Sequence, residues 1–209
     1  MMDMEFRADP GGNCKLELSW ATGIGTICGM VVSAEEKIRV VRELCEKARW
    51  PDVLAYTGRW LEENPAEAKA LFYQGVAQVS LGRLAEAETS YRRALALDAK
   101  DFKTWNNLAA LLFNALNQPA EGARCMAEAL KLEPANPLGW ANLASMHGRM
   151  NHHEQALECA ERALALAPEM VEAHLHRARA AQMLGRREIV REVSETLGRL
   201  TPEKFRRAR

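Results

Sequence analysis

The sequence lacks the features by which several large classes of protein are recognised. Its 209 residues contain 28 Lys plus Arg and 28 Asp plus Glu, so the formal net charge is zero. Proteins that bind nucleic acid or an anionic membrane surface in general normally carry a basic excess, which argues against both roles. The longest apolar stretch, at residues 21–32, is far shorter than the roughly 20 residues that span a bilayer. We therefore expect no nucleic-acid partner and no membrane insertion.

Cysteine is sparse and unpatterned. The five cysteines are Cys14, Cys28, Cys45, Cys125 and Cys159. Their number is odd, their spacing is wide, and no CxxC or Cys/His set accompanies them, as is typical of reduced thiols in a cytosolic protein. The acidic residues Asp3, Glu5 and Asp9 stand where a secretory signal would be positively charged. These features predict a cytoplasmic protein.

Motifs for catalysis and for metal binding are also missing. The sequence contains no HExxH, GxSxG, GxGxxG or phosphate-binding loop. The five histidines are His147, His152, His153, His174 and His176. No Cys/His set and no carboxylate triad accompanies them, and residues adjacent on a helix point apart. We predict a protein that is not an enzyme and that binds neither a metal ion nor another cofactor.

What the sequence does contain is a repeat of 34 residues. Pro65, Pro134, Pro168 and Pro202 each follow a stretch with helical apolar spacing. A proline would also be expected near residue 99, and there Ala99 takes its place in a similar stretch, ALALDAKD at 94–101. Small residues recur at two positions of the repeat. The first series is Gly75, Ala109, Ala144 and Ala178, and the second is Ala87, Gly122 and Ala156. Large residues precede the first of these series by four positions, as Leu71, Trp105 and Trp140, with His174 as the weak member. Five units follow, at 34–67, 68–101, 102–136, 137–170 and 171–204.

Each unit has the pattern of two helices. Apolar residues recur at i, i+3, i+4 and i+7 in both halves. Turn residues separate the halves, as at 81–83 and 184–186, and proline ends the second helix because it lacks a backbone donor. One helix pair cannot bury its apolar face alone, so stacked units must supply the core. The sequence therefore predicts an all-α solenoid of about five helix-turn-helix units.

This spacing resembles that of the tetratricopeptide repeat. Trp105, Leu108, Ala109 and Leu112 carry the resemblance in the third unit, and Gly75, Ala87, Tyr91 and Ala94 carry it in the second. The resemblance covers residues 34–204, closely in the three middle units and loosely in the outer two. The charged second helix of the fifth unit suits a terminal cap, because one of its faces must meet water.

The resemblance implies a right-handed superhelix whose concave wall is built from the first helix of each unit and holds a bound polypeptide. The groove residues that we single out are Arg42, Lys69, Phe72, Tyr73, Lys103, Asn106, Asn107, Asn142, Arg149, His176 and Arg179. Asn107 and Asn142 occupy the same place in adjacent units, and an amide can pair with both N–H and C=O of an extended peptide. The row is similar to the asparagine rows in repeat arms of O-linked N-acetylglucosamine transferases and in some motor-protein light chains. Alternatively, asparagine stands there only because it suits a solvent-facing helix.

Apolar residues form a second feature of the groove. They are Phe72, Val76, Val79 and Phe113, beside Lys69 and Lys103. A hydrophobic segment could dock on them, or the rings could simply pack on the neighbouring unit. The residues of the carboxylate clamp that binds chaperone tails in some tetratricopeptide domains do not match in any register, so this mode of binding is not expected.

Four functions compete on this evidence. The leading hypothesis is a protein- or peptide-binding scaffold or adaptor, in a bacterial secretion, envelope or assembly pathway. The first alternative is a non-catalytic recruiting or regulatory subunit of an enzyme, similar to the repeat arms of glycosyltransferases. The second is a scaffold that self-associates through its terminal repeats. A weaker interpretation makes the basic tail at 205–209 a contact for RNA or acidic lipid.

The first 33 residues lie outside the repeat pattern. They contain clustered glycines and no helical stripe, which predicts an irregular or disordered extension. Alternatively, Met30 is the true initiator, and residues 1–29 do not belong to the native protein.

Overall fold

The structure is a computed structural model that describes residues 7–8, 14–15 and 33–200. The chain divides into two compact units, Met1–Glu36 and Lys37–Arg209. In the first unit, β1 (Arg7–Ala8) pairs antiparallel with β2 (Cys14–Lys15). Our expectations for the rest of the N-terminal extension, for Met30 and for the basic tail concern residues outside the described ranges.

A reciprocal cap starts the first helix. The Glu36 backbone N–H donates to Ser33 Oγ at 3.2 Å, and the Ser33 N–H donates to Glu36 Oε2 at 3.3 Å. This capping box satisfies two backbone donors that a helix N-terminus leaves without intrahelical partners. It explains why helix formation begins at this point of the sequence.

The described residues from 33 onward form ten helices. They are α1 (Ala34–Glu46), α2 (Trp50–Glu63), α3 (Ala68–Ser80), α4 (Leu84–Leu97), α5 (Phe102–Asn114), α6 (Pro119–Leu132), α7 (Pro137–Arg149), α8 (His153–Leu166), α9 (Val171–Met183) and α10 (Arg187–Leu200). The odd-numbered helices are the first helices of the five units, and the even-numbered helices are the second helices. The predicted all-α solenoid of about five helix pairs is confirmed.

Packing within the second compact unit follows the chain. The two helices of each of the second to fifth units pack together, and α1 and α2 contribute to one buried cluster. Each second helix also packs on the first helix of the next unit, as α4 does on α5 and α6 on α7. First helices of successive units also approach one another directly, α3 to α5 and α7 to α9. The first helices therefore present a shared face.

The small residues of the repeat lie where helices approach most closely. A Cβ atom on Gly75 would be 2.6 Å from the Tyr91 ring, and one on Gly122 would be 2.9 Å from the carbonyl oxygen of Ala109. Real Cβ atoms do not come this close to other atoms, so a larger residue would force the helices apart. The physical reason for the small-residue series is thus visible in the structure.

A side-chain anchor recurs at the start of three units. The indole Nε1 of Trp105 donates to the Ala99 carbonyl oxygen at 2.9 Å, and that of Trp140 donates to the Pro134 oxygen at 2.8 Å. His174 makes the equivalent bond through Nε2, 2.8 Å from the Pro168 oxygen. Because a carbonyl can only accept, Nε2 of His174 carries a proton. The residue that looked like the weak member of the series therefore keeps the function of the tryptophans.

Replacing His174 with tryptophan should stabilise the fold. The anchor bond would remain, the buried Nδ1 of His174 that has no partner would disappear, and the larger ring could fill the shallow cleft beside Leu164 and Pro168. We expect His174→Trp to raise the free energy of unfolding by about 1 kcal/mol, and His174→Leu to lower it by about 1 kcal/mol through loss of the bond. Urea denaturation measures both changes, and a tryptophan variant less stable than the leucine variant would contradict this assignment.

Helix α10 ends the described array with a polar face. In α4, Tyr91 and Leu95 are buried residues that help to pack the next unit. The corresponding positions of α10 are Ser194 and Gly198, and a Cβ on Gly198 would touch nothing within 4 Å. The large side chains that would pack a further unit are replaced by small ones here, as expected of a capping helix.

Candidate peptide-binding groove

The surface predicted to bind a partner is the exposed face of the first helices, which we call the groove face. It comprises positions 2, 5, 6, 9, 12 and 13 of each unit, for example Arg42, Tyr73, Asn107, Asn142 and His176. Most residues at these positions are exposed or half-buried. Phe113 and Ala141 are buried, so of the two alternatives for the Phe113 ring the structure favours packing on the neighbouring unit. The ring packs in the core between units.

Side chains of the first two units are joined across the groove face. Arg42 Nε donates to Tyr73 Oη at 3.1 Å. The Tyr73 ring in turn meets Phe72 edge-on, with ring centroids 5.0 Å apart, and Phe72 packs against the main core. These contacts restrict the rotamers of three predicted groove residues, so this part of the face is preorganised.

An ion pair links α3 to the residue that immediately precedes α5, the first helix of the third unit. Lys69 Nζ lies 3.1 Å from Asp101 Oδ1, and the same carboxylate accepts a hydrogen bond from the Thr104 hydroxyl at the start of α5. The positive charge of Lys69 is therefore partly neutralised by Asp101. Lys103 is exposed and makes no ion pair with the described residues.

Asn107 and Asn142 occupy equivalent positions but have different partners. Asn107 accepts a hydrogen bond from Asn106 at 3.5 Å. It also hydrogen-bonds to the side chain of Tyr91; burial raises the pKa of the Tyr91 phenol, and this contact with Asn107 lowers it in part. In the next unit the place of Tyr91 is taken by Met126, which has no hydroxyl. Asn142 accordingly makes no hydrogen bond within the described residues, and its amide remains available to a ligand.

A stacked cation joins the third and fourth units. The Arg149 guanidinium carbon lies 4.1 Å from the centroid of the Phe113 ring. Stacking uses the flat face of the guanidinium and leaves the N–H donors at its edge unused. Arg149 is exposed and makes no ion pair within the described residues, so it can receive a carboxylate.

The face between α7 and α9 differs from the rest. Ala141, Ala163 and Ala173 form a small buried cluster that lets these helices approach. Above it, Arg179 is exposed and makes no ion pair within the described residues. Three large apolar side chains are also exposed at groove positions: Leu138 at 56%, Leu175 at 53% and Met183 at 60%. The apolar groove feature singled out from the sequence lies earlier in the array, at Phe72, Val76, Val79 and Phe113, because hydrophobicity alone does not show which of these side chains are buried.

Two histidines favour the neutral state in the folded chain. Burial lowers the pKa of His147 and nearby His152 lowers it further, while burial and then Arg179 lower the pKa of His176. The unfolded chain therefore binds more protons than the folded chain once the pH falls below the ordinary histidine pKa of about 6.5.

The melting temperature should consequently fall as the pH is lowered from about 7 through 6. A His147→Gln/His176→Gln double variant should lose less of its melting temperature over the same range, because it lacks the two groups whose protonation favours the unfolded chain. Differential scanning fluorimetry at a series of pH values measures this. An equal fall in both proteins would contradict the assignment.

The described cysteines are free thiols that burial makes less acidic. Burial raises the pKa of Cys125 and raises that of Cys159 to about 11. It also raises the pKa of Cys45, and Glu46 adds to the effect. At neutral pH these thiols are protonated, so they are weak nucleophiles.

The described residues form neither a metal site nor a membrane-spanning helix. No three His, Cys, Asp or Glu side chains among them are placed to hold a metal ion together. None of the helices in the described ranges has both the length and the apolar character needed to cross a membrane.

Comparison with known families identifies the repeat. A family model described as tetratricopeptide repeat matches residues 51–102, and another with the same description matches residues 137–170. The FK506-binding protein-like protein of Homo sapiens is 37% identical over 62 residues, which cover 30% of this chain and 18% of that protein. The chain thus matches less than a fifth of that relative's length.

Solved structures with the same fold cover most of the chain. MamA aligns with a TM-score of 0.72 at 16% identity, over 85% of this chain and 99% of MamA. YrrB, described as a TPR protein with an unusual peptide-binding site, aligns at 0.72 with 17% identity, over 83% and 89%. PilW, described as a widely conserved type IV pilus biogenesis factor, aligns at 0.69 with 19% identity, over 80% and 77%. At these identities the likeness concerns the fold.

Proposed function

This chain is a tetratricopeptide-repeat protein, and from that premise we propose that it is an interaction scaffold that binds an extended segment of another protein on its groove face. The observation that carries the proposal is the contrast between Asn107 and Asn142. The Asn107 amide interacts with Asn106 and Tyr91 within the protein. The Asn142 amide is half-buried on the shared face of the first helices and has no hydrogen-bond partner in the described residues. A polar group in such a place gains a partner when a peptide backbone arrives.

The arrangement of the rest of the face supports this role. The Arg42–Tyr73 pair joins neighbouring units, and the Lys69–Asp101 pair fixes α3 to the start of α5, which reduces the ordering that a partner must induce on binding. A role without catalysis fits thiols that are protonated at neutral pH, of which Cys125 and Cys159 are buried in the second helices. We propose the cytoplasm as the location and a polypeptide rather than a nucleic acid as the partner.

Site-specific photo-crosslinking tests the proposal. A photo-reactive amino acid is placed at Lys103 or Ser145 on the first helices and, as matched controls, at Arg93 or Arg124 on exposed parts of α4 and α6. We expect one partner protein to be captured from both inner positions and from neither outer position. Capture from the outer positions alone would overturn the proposed use of the groove face.

A further inference from the structure

The groove face does not offer the same surface along its length. At the first two junctions, a predicted groove cation already has a polar partner: Arg42 with Tyr73 of the next unit, and Lys69 with Asp101 immediately before α5. At the third junction, Arg149 stacks on Phe113 but has no carboxylate partner within the described residues. At the junction of α7 and α9, no such pair is formed among the described residues. We call this region the α7/α9 seam and define it by Leu138, Asn142, Arg149, Leu175, His176, Arg179 and Met183.

The seam combines unused hydrogen-bonding groups, unneutralised positive charge and exposed apolar area. The Asn142 amide has no hydrogen-bond partner in the described residues, and the Arg149 and Arg179 guanidiniums have no carboxylate partner there. Leu138, Leu175 and Met183 are all more than half exposed. No comparable set of exposed large apolar side chains stands on the described parts of the other first helices.

Charge is arranged with a direction along the seam. Glu172 lies near the start of α9, Leu175 one turn later, and Arg179 one further turn on. Arg149 ends α7, which lies beside α9, and so adds positive charge toward the same end. A ligand that complements this pattern has apolar side chains near Leu138 and Leu175 and carboxylates near the two arginines.

Resting on the proposed function, we propose that the α7/α9 seam is the binding subsite and that its ligand is an extended peptide with apolar side chains followed by acidic ones. Its leucine-like side chains cover Leu138 and Leu175, its backbone pairs with the Asn142 amide, and its carboxylates bind the edges of Arg149 and Arg179. The stacking on Phe113 leaves the edge of Arg149 presented for such a contact.

Fluorescence anisotropy with designed peptides tests this inference on the full chain. The probe is a labelled peptide of about ten residues, roughly 33 Å when extended and thus longer than α7, with leucine at alternate positions and aspartate confined to its C-terminal half. One control peptide carries lysine in place of aspartate, and another carries serine in place of leucine. We expect the acidic, leucine-bearing peptide to bind, with affinity that falls as salt is added, and both control peptides to bind at least about tenfold more weakly.

Matched variants locate the site. Arg179→Glu and Leu175→Ser change exposed seam residues and should each weaken binding by about tenfold or more. Arg93→Glu and Leu97→Ser make the same chemical changes at exposed positions of α4 and should leave the affinity unchanged. Equal loss in both pairs, equal binding of the lysine peptide, or binding of none of the peptides would overturn the inference.

The failure of this inference is distinguishable from failure of the proposed function. Peptide binding that survives Arg179→Glu and Leu175→Ser but is lost in Lys103→Glu would place the ligand elsewhere on the groove face, and the scaffold function would stand. Photo-crosslinks from the outer positions alone would instead remove the groove function itself.

Discussion

Truncation of Leu112 to alanine should lower the free energy of unfolding by about 2–5 kcal/mol. Leu112 is fully buried in the largest core cluster, where α5 and α6 meet and where Met126 and Leu108 are also buried. The alanine variant loses the transfer free energy of the removed atoms and leaves a cavity that rigid neighbouring helices cannot close completely. Urea denaturation followed by circular dichroism measures the loss.

Leu97→Ala provides the matched control. The Leu97 side chain is 47% exposed at the end of α4, so the same chemical change removes little buried area. We expect its free energy of unfolding to change by less than about 1 kcal/mol. A loss as large as that of Leu112→Ala would show that the core is not where the structure places it.

A methyl group added at Gly122 should destabilise the chain although alanine is the better helix former. The new Cβ would lie 2.9 Å from the Ala109 carbonyl oxygen and 3.1 Å from Phe113 Cβ, and backbone cannot move aside cheaply. Overpacking costs about 1–3 kcal/mol, while the gain in helix propensity is at most about 1 kcal/mol. We expect a net loss of about 1–2 kcal/mol by the same denaturation measurement.

Gly58 offers the opposite case. It lies inside α2, and a Cβ there would meet nothing within 4 Å. Gly58→Ala should therefore raise the free energy of unfolding by about 0.5–1 kcal/mol through helix propensity alone. If Gly122→Ala raised the free energy of unfolding as Gly58→Ala should, the close approach of α5 and α6 at Gly122 would be wrong.

The repeat and its helices were predictable because the signal is local. A period of 34 residues, small residues in register and turn residues between halves depend on positions close together in the chain. Gly122 is an example, since its place in the small-residue series already predicts a close helix approach. The same register placed Asn142 and Arg179 on the face of the first helices.

The state of the groove residues was not predictable, because it depends on contacts between units. Asn107 and Asn142 are alike in sequence position, and what separates them is Tyr91 or Met126 on the helix of the preceding unit. The sequence left open whether Phe113 docks a ligand or packs on the neighbouring unit, and in the structure it is covered, in part by the stacked Arg149 from the next unit. The sequence pattern within one unit does not show which side chains of the neighbouring units will contact its groove residues.

His174 shows the same limit in another form. Its departure from tryptophan suggested a weak repeat, yet the imidazole Nε2 reaches the carbonyl that the indole reaches in the units before it. The two rings differ in size but share a donor at about the same distance from the backbone. Histidine and tryptophan differ in hydrophobicity, but their hydrogen bonds show that His174 and Trp140 have equivalent roles.

Amide hydrogen exchange, with and without a saturating concentration of the acidic, leucine-bearing peptide, tests the central claim most directly. If the first helices carry the partner, exchange should slow in α7 and α9, with little change in the outer parts of α4, α6 and α10, because a ligand stabilises the helices that it contacts against local opening. Slower exchange confined to the second helices, or no change anywhere, would contradict the account.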